Sequence, residues 1–342
     1  MSDATHLPLL EQAYEALADG DLEQLEQMVA TLTAQAPDDD EVMALRAEVL
    51  LAQDKADEAL DLLETAIQAQ ARSPQLLAER ASILLDACED PLAARTDLER
   101  ALLLAPSPEL EADLRLMHAE CCLQLQDPRA ALDTAQAAAR LFPDAAEPEH
   151  AVAQSLFDLH RFDEASLSVA RVIDRDPRYA PAYFLRAEIL DIAGDSWGAQ
   201  KALDRARALD PEGFPASPAL TEQDFETIVA EALDELPDSI ASYLRNVAIL
   251  VDERPDLETL RASDPPLSPA CLGLFEGTPR PAESVEDPWS TFPKAVRLYR
   301  NNIMRTCASR DEVVDLVAST LLHEIGHFLG LDEDDLIERG LQ

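Results

Sequence analysis

The sequence is short of the residues that build sheets and tight turns. Aromatic side chains make up 5% of its 342 positions, and there are nine glycines. That scarcity argues against a sandwich or barrel of many strands. Bases are few as well: 27 Lys and Arg against 68 Asp and Glu leave a formal net charge of -41. Such an excess repels a polyanion and no basic stripe offsets it, so nucleic acid and anionic membrane surfaces are excluded as partners. No apolar run reaches the roughly 18 residues of a membrane-spanning helix. The start, MSDATHLPLLEQAYEALADGD, has neither a basic region nor a continuous apolar stretch, so no secretory signal is expected. There is no C-x-x-C. The five cysteines, Cys88, Cys121, Cys122, Cys271 and Cys307, are irregularly spaced and read as reduced thiols of a cytoplasmic protein.

Leucine and alanine dominate, in a chain that is 47% apolar, which favours helices with ample material for a core. The alanines recur. Ala13, Ala47, Ala81, Ala119, Ala153 and Ala187 are separated by steps of 34, 34, 38, 34 and 34 residues. Twelve residues after five of them stands a second alanine (Ala59, Ala93, Ala131, Ala165 or Ala199), and the first unit has Leu25 there. Pro37, Pro143, Pro177 and Pro211 each lie 24 residues after a ladder alanine, with Pro74 and Pro106 displaced in the second and third units. Small residues let two antiparallel helices approach, and a proline ends the second helix because it cannot continue the hydrogen-bond ladder. Each helix pair leaves an apolar face that only the next pair can cover.

The period, the small-residue spacing and the proline resemble the tetratricopeptide repeat family over about residues 5–211, in six units. The family's tryptophan is missing, and the 38-residue step implies a short insertion near Pro106-Ser107-Pro108. The resemblance implies a curved superhelix whose concave groove binds a peptide or a partner protein.

The texture changes after the repeats. Three prolines and a glycine in residues 211–219 mark a boundary. The expected organisation is repeats over 1–211, a linker over 212–219 and a second domain over 220–342. In that domain Thr221 caps a helix that runs to about Leu236, with Asp224 as its acidic partner. Val247–Val251, Cys271–Phe275 and Ala295–Arg300 read as strands separated by proline-rich loops. A long final helix starts near Ser309 and continues through Val313–Leu329. The expected fold class is therefore mostly α: an α-solenoid of helical hairpins followed by a small α+β domain.

That last helix carries His323-Glu324-Ile325-Gly326-His327. Histidines four apart project from one helix face, so both imidazoles can reach one Zn²⁺. Glu324 lies about 100° round the helix, where it can act as general base toward a zinc-activated water attacking a carbonyl. Both histidines found after Pro211 lie inside this motif. A third ligand is needed. Gly330 suits the left-handed residue that ends a helix and turns the chain back toward the metal. The arrangement H-E-x-x-H-x-x-G-x-x-ligand resembles the metzincin pattern, whose last position is histidine. Here that position is Glu333, which we take as the leading candidate, with Asp332 and Asp334 as alternatives. No methionine follows Met304, so the metzincin Met-turn has no counterpart.

Residues from about 218 to 342 resemble the minimal zincin-like metallopeptidase family of bacteria. The resemblance is carried by Leu220–Pro237, Asn246–Pro255, Leu272–Gly277 and Val296–Ile303 leading into the histidine helix. Phe328 stands where family members often carry another histidine. The resemblance implies a zinc-dependent peptidase and an edge strand beside the active helix that pairs with extended substrate. Lys294, Arg297, Arg300 and Arg305 lie just before that helix with no acid among them, and Tyr299 is a candidate for polarising the scissile carbonyl. The alternative for these bases is a strand face that offsets nearby acids. Two functions compete: a cytoplasmic zinc metallopeptidase whose repeats recruit a protein substrate, and a non-catalytic adaptor with a zinc-stabilised module.

Overall fold

Each repeat folds as a hairpin of two helices. In the computed structural model, which describes residues 7–69, 73–88, 90–234, 247–262, 266–277 and 294–331, these are α1 (Leu7–Ala18) with α2 (Leu22–Gln35), α3 (Asp40–Ala52) with α4 (Ala56–Ala69), α5 (Pro74–Asp86) with α6 (Pro91–Leu103), α7 (Pro108–Gln124) with α8 (Pro128–Leu141), α9 (Ala146–Asp158) with α10 (Phe162–Arg175), and α11 (Ala180–Ile192) with α12 (Ser196–Leu209). All six ladder alanines are at most 2% exposed. The second small residue is the fourth of each second helix: Leu25, Ala59, Ala131, Ala165 and Ala199 are buried there. In α6 the fourth residue is Ala94, which takes the buried position while Ala93 is half-buried. The cause is where the helix begins, because Asp90 caps it and Pro91 is its first residue. Pro74 likewise opens α5 behind the Ser73 cap rather than closing α4.

The turn inside a hairpin is also periodic. Gly20, Asp54, Gln126, His160 and Gly194 adopt left-handed backbone with φ between 55 and 82°. The N–H groups of Asp21, Lys55, Arg161 and Asp195 then bond back to Ala16, Leu50, Leu156 and Leu190 at 2.9–3.0 Å, closing the end of the first helix.

The chain divides into two compact units, residues 1–125 with 133–142, and residues 126–132 with 143–342. In the first unit successive helices pack pairwise, and α1, α3, α5 and α7 also touch in a row. In the second unit α9 to α12 stack in the same way. They are followed by α13 (Glu222–Asp234), β1 (Val247–Asp252), α14 (Leu257–Arg261), β2 (Gly273–Glu276), β3 (Lys294–Tyr299), α15 (Arg300–Thr306) and α16 (Arg310–Leu329). The short helices α14 and α15 were not foreseen from the sequence.

The described strands form one sheet of order β1-β3-β2. β1 runs parallel to β3 with Val247 opposite Lys294, and β2 runs antiparallel with Gly273 opposite Leu298. Alternation puts Val296 and Leu298 on one face, packed with Phe225, Ile228 and Val229 of α13 and with Val313, Val317 and Leu321 of α16. The α13 cap is reciprocal: Asp224 N–H donates to Thr221 Oγ1 at 3.2 Å and Thr221 N–H to Asp224 Oδ2 at 2.9 Å.

Two expectations change. β3 is the middle strand, with both of its edges already bonded, so it has no free edge for substrate. Among the described strands β2 is the one at the sheet edge against α16. Tyr299 is 1% exposed and sits on the sheet face opposite Leu298, so the cavity it lines holds Asp252, Glu276 and Arg297 rather than the residues of α16. No disulfide joins the five cysteines. Among the described residues no helix is long and apolar enough to cross a membrane.

Candidate metal centre

The centre begins with a well-capped helix. Ser309 Oγ accepts from the Glu312 N–H at 3.2 Å, and Glu312 Oε2 accepts from the Ala308 N–H at 2.7 Å. The two bonds fix where α16 starts, and its buried face of Val313, Val317, Leu321 and Ile325 fixes its rotation. The histidine pair then stands on a neighbouring face. The rings of His323 and His327 meet edge to face, 4.7 Å between centroids and 86° between planes. Their Nε2 atoms lie 3.1 Å apart. Two nitrogens on one tetrahedral zinc, each at about 2.0–2.1 Å, are about 3.3 Å apart. The pair therefore fits a shared ion with a shift of a few tenths of an ångström.

The helix end orients the second ring. Gly330 is left-handed with φ of 87°. Its N–H bonds to the His327 carbonyl at 3.0 Å and the Leu331 N–H to the Gly326 carbonyl at 3.1 Å, the two bonds of a Schellman ending. The reversal brings the Leu331 carbonyl within 3.2 Å of His327 Nδ1. With Nδ1 donating there, Nε2 keeps its lone pair for a metal.

Glu324 is 6% exposed, in a niche that a glycine makes possible. A Cβ on Gly273 of β2 would lie 2.8 Å from Thr320 Cγ2 and 3.0 Å from Glu324 Cγ, inside contact distance. Thr320 itself bonds the Leu316 carbonyl at 2.7 Å. The Cys271 thiol completes the niche: burial, and then the nearby Glu324 carboxylate, push it up to about 12. A carboxylate buried in such a niche, one residue along the helix from an imidazole, can take and return a proton.

The structure thus pairs the His323 and His327 rings, with Glu324 buried on the same helix turn. The third-ligand candidates Asp332, Glu333 and Asp334 lie outside the described residues. Among the described residues no group of three His, Cys, Asp or Glu gathers to hold an ion. The bases ahead of the helix face acids: Arg297 bonds Asp252 at 2.5 Å and Glu276 at 2.9 Å, Arg300 pairs with Glu253 at 3.4 Å, and Arg305 pairs with Asp191. Sequence reasoning missed Gly273, Thr320, Cys271 and Leu331. Only Gly273 carried a signal, since a glycine inside a strand often marks close approach of another element. It also named no repeat residues that could receive a partner. In the first unit Glu79 is pushed up to about 8, by burial and then by Glu48, to which it is hydrogen-bonded. Tyr14 is pushed up to about 12 by burial and then by Glu41 and Glu79. An acidic patch around a tyrosine thus spans α1, α3 and α5.

Comparison with known proteins matches residues 244–341 to the zincin-like metallopeptidase family and residues 151–214 to the tetratricopeptide repeat. Among solved structures, that of PilF from Pseudomonas aeruginosa is 16% identical with a TM-score of 0.52, covering 67% of this chain and 99% of that one. PilW, a type IV pilus biogenesis factor, is 14% identical with a TM-score of 0.53, covering 66% of this chain and 99% of that one. The Cut9–Hcn1 structure is 14% identical with a TM-score of 0.51, covering 60% of this chain and 40% of that one. These likenesses show the fold alone, a solenoid of tetratricopeptide-like helical hairpins. A comparison with curated proteins finds no match.

Proposed function

We propose that the chain is a cytoplasmic zinc-dependent metallopeptidase in which a repeat array over 1–211 recruits a protein substrate for a minimal zincin-like domain over 220–342. One observation carries the reading: two Nε2 atoms 3.1 Å apart, with a nine-tenths buried carboxylate on the intervening residue. His323 and His327 are two ligands and Glu333 is the third, with Asp332 and Asp334 as alternatives. A bound zinc would supply Lewis acidity toward a water nucleophile and the scissile carbonyl. Glu324 takes the proton of that water and passes it to the leaving amine. Among the described strands β2 is at the sheet edge, with Gly273 against Glu324, and suits an extended peptide whose backbone would add a strand there. Glu41 and Glu48, the carboxylates beside Tyr14 and Glu79, favour a partner with exposed Lys or Arg.

The test is zinc stoichiometry together with cleavage of a peptide library. The expected result is one zinc per chain, lost in His323→Ala and His327→Ala, and cleavage that disappears in Glu324→Gln while zinc stays. Stoichiometric zinc without cleavage of any peptide would sink the enzymatic part. The alternative reading is a non-catalytic adaptor with a zinc-stabilised module. It requires partners that are retained and left intact by both the wild type and His323→Ala.

A further inference from the structure

The C-terminal ends of α9 and α11 are occupied. Asp191 on α11 is 5% exposed and accepts from the Arg254 guanidinium at 2.5 Å and from Arg305. Its carbonyl accepts from Arg254 as well, at 2.8 Å. Arg254 follows β1, and Arg305 lies on α15. Asp158, the last residue of α9, accepts from Gln154 at 3.1 Å and from the Ser268 hydroxyl. In the turn after α9, His160 Nε2 donates to the Leu267 carbonyl at 2.8 Å and Nδ1 accepts from Arg261 at 3.3 Å.

The residues so gripped run directly into the metal centre. Just past Ser268, Asn302 of α15 donates to the carbonyls of Pro269 at 3.0 Å and Cys271 at 2.7 Å. The Tyr299 N–H donates to the Leu272 carbonyl at 2.8 Å. The following residue is Gly273, whose missing side chain lets β2 lie on Glu324. One side of the 266–272 loop is thus held by repeat residues and the other by α15.

We propose that the last two hairpins, α9 to α12, are an interaction surface for the chain's own C-terminal segment: the ends of α9 and α11 bind Arg254, Arg261, Leu267, Ser268 and Arg305 of α15, and hold the 266–272 loop that carries β2 to Glu324. The hairpins are then a wall of the zincin-like module as well as the last units of the array. The catalytic meaning of this wall rests on the reading of Glu324 as the base; the wall itself does not.

The experiment is hydrogen–deuterium exchange on the full chain without zinc or substrate, so that it reads the wall whether or not the peptidase reading stands. In Asp191→Ala, exchange in residues 253–257 and 270–276 rises about tenfold, with α1 to α7 unchanged. Arg305→Ala, made on the other side, raises exchange at the ends of α9 and α11. Asp97→Ala, which cuts an ion pair inside the first unit, leaves 270–276 protected. Asp191→Asn removes the charge while keeping the shape, and gives a smaller rise in the same segments if the alanine variant does not fold. The proposal is overturned if residues 253–257 and 270–276 stay as protected as in the wild type in both Asp191 variants. An unchanged α11 end in Arg305→Ala overturns it as well.

Discussion

His323 Nε2 and His327 Nε2 face each other across 3.1 Å at the end of a helix whose last turn is closed by Gly330. Two imidazole lone pairs at that distance repel unless a proton or a cation lies between them. A shared N–H or a bound cation satisfies that spacing, and the helix end that enforces it can be tested directly.

Gly330→Ala places a Cβ on left-handed backbone, at a cost of about 1 kcal/mol. The larger effect falls on the Leu331 carbonyl that orients His327. Zinc affinity in a chelator competition is expected to fall about 10-fold, the lower end for loss of a group that orients a ligand. An affinity equal to wild type would show that the Leu331 carbonyl plays no such part.

Gly273→Ala forces its Cβ to 2.8 Å from Thr320 Cγ2 and 3.1 Å from the Arg297 carbonyl. Overpacking of this kind costs about 1–3 kcal/mol. Adding Thr320→Ser removes the nearest obstructing methyl, so the double variant recovers part of the loss in urea titration and the two changes are non-additive.

Glu188 of α11 lines a cavity of about 130 Å³ with Asp191, Arg254, Asn302 and Arg305. Burial pushes it from 4.5 up to about 8, aided by Asp158 and Asp191 and opposed by Arg305. Between pH 4.5 and about 8 the unfolded chain ionises this group while the folded chain keeps its proton. Folding then takes up a proton, and stability falls as pH rises, by at most about 1.4 kcal/mol per pH unit. Glu188→Gln should flatten that slope between pH 5 and 8 in denaturant titrations. Asp158, also pushed up by burial, contributes in the same direction and leaves a residual slope.

Asp97 is 2% exposed and receives two bonds from Arg80, at 2.6 and 2.7 Å, and one from Arg100 at 3.1 Å. Asp97→Ala leaves the largely buried Arg80 paired with Glu64 alone and should destabilise the first unit by about 1–3 kcal/mol. Thermal unfolding of the full chain would show an early transition confined to α3–α7.

The solenoid was legible because its rule is repeated: one alanine position per first helix, 34 residues apart in four of five steps, needs only counting. The rule failed at Ala93, where the helix start moved by one residue and Ala94 took the buried place. The histidine pair was legible because a four-residue spacing on a helix determines its own geometry. Strand order was not. β3 falls between β1 and β2 through pairings of residues 19 to 47 positions apart, and nothing local in Ala295–Arg300 distinguishes a central strand from an edge. The niche around Glu324 was hidden for the same reason, since Gly273 and Cys271 reach it across the fold.

His160 occupies the turn position that Gly20 and Gly194 fill in other repeats, with φ of 57°. An engineer averaging the repeats into a consensus would replace it with glycine and expect a stabler turn. Here that averaging would delete the ring that bonds Leu267 and Arg261. The consensus sequence is a description of a generic repeat, and the fifth repeat of this chain is no longer generic.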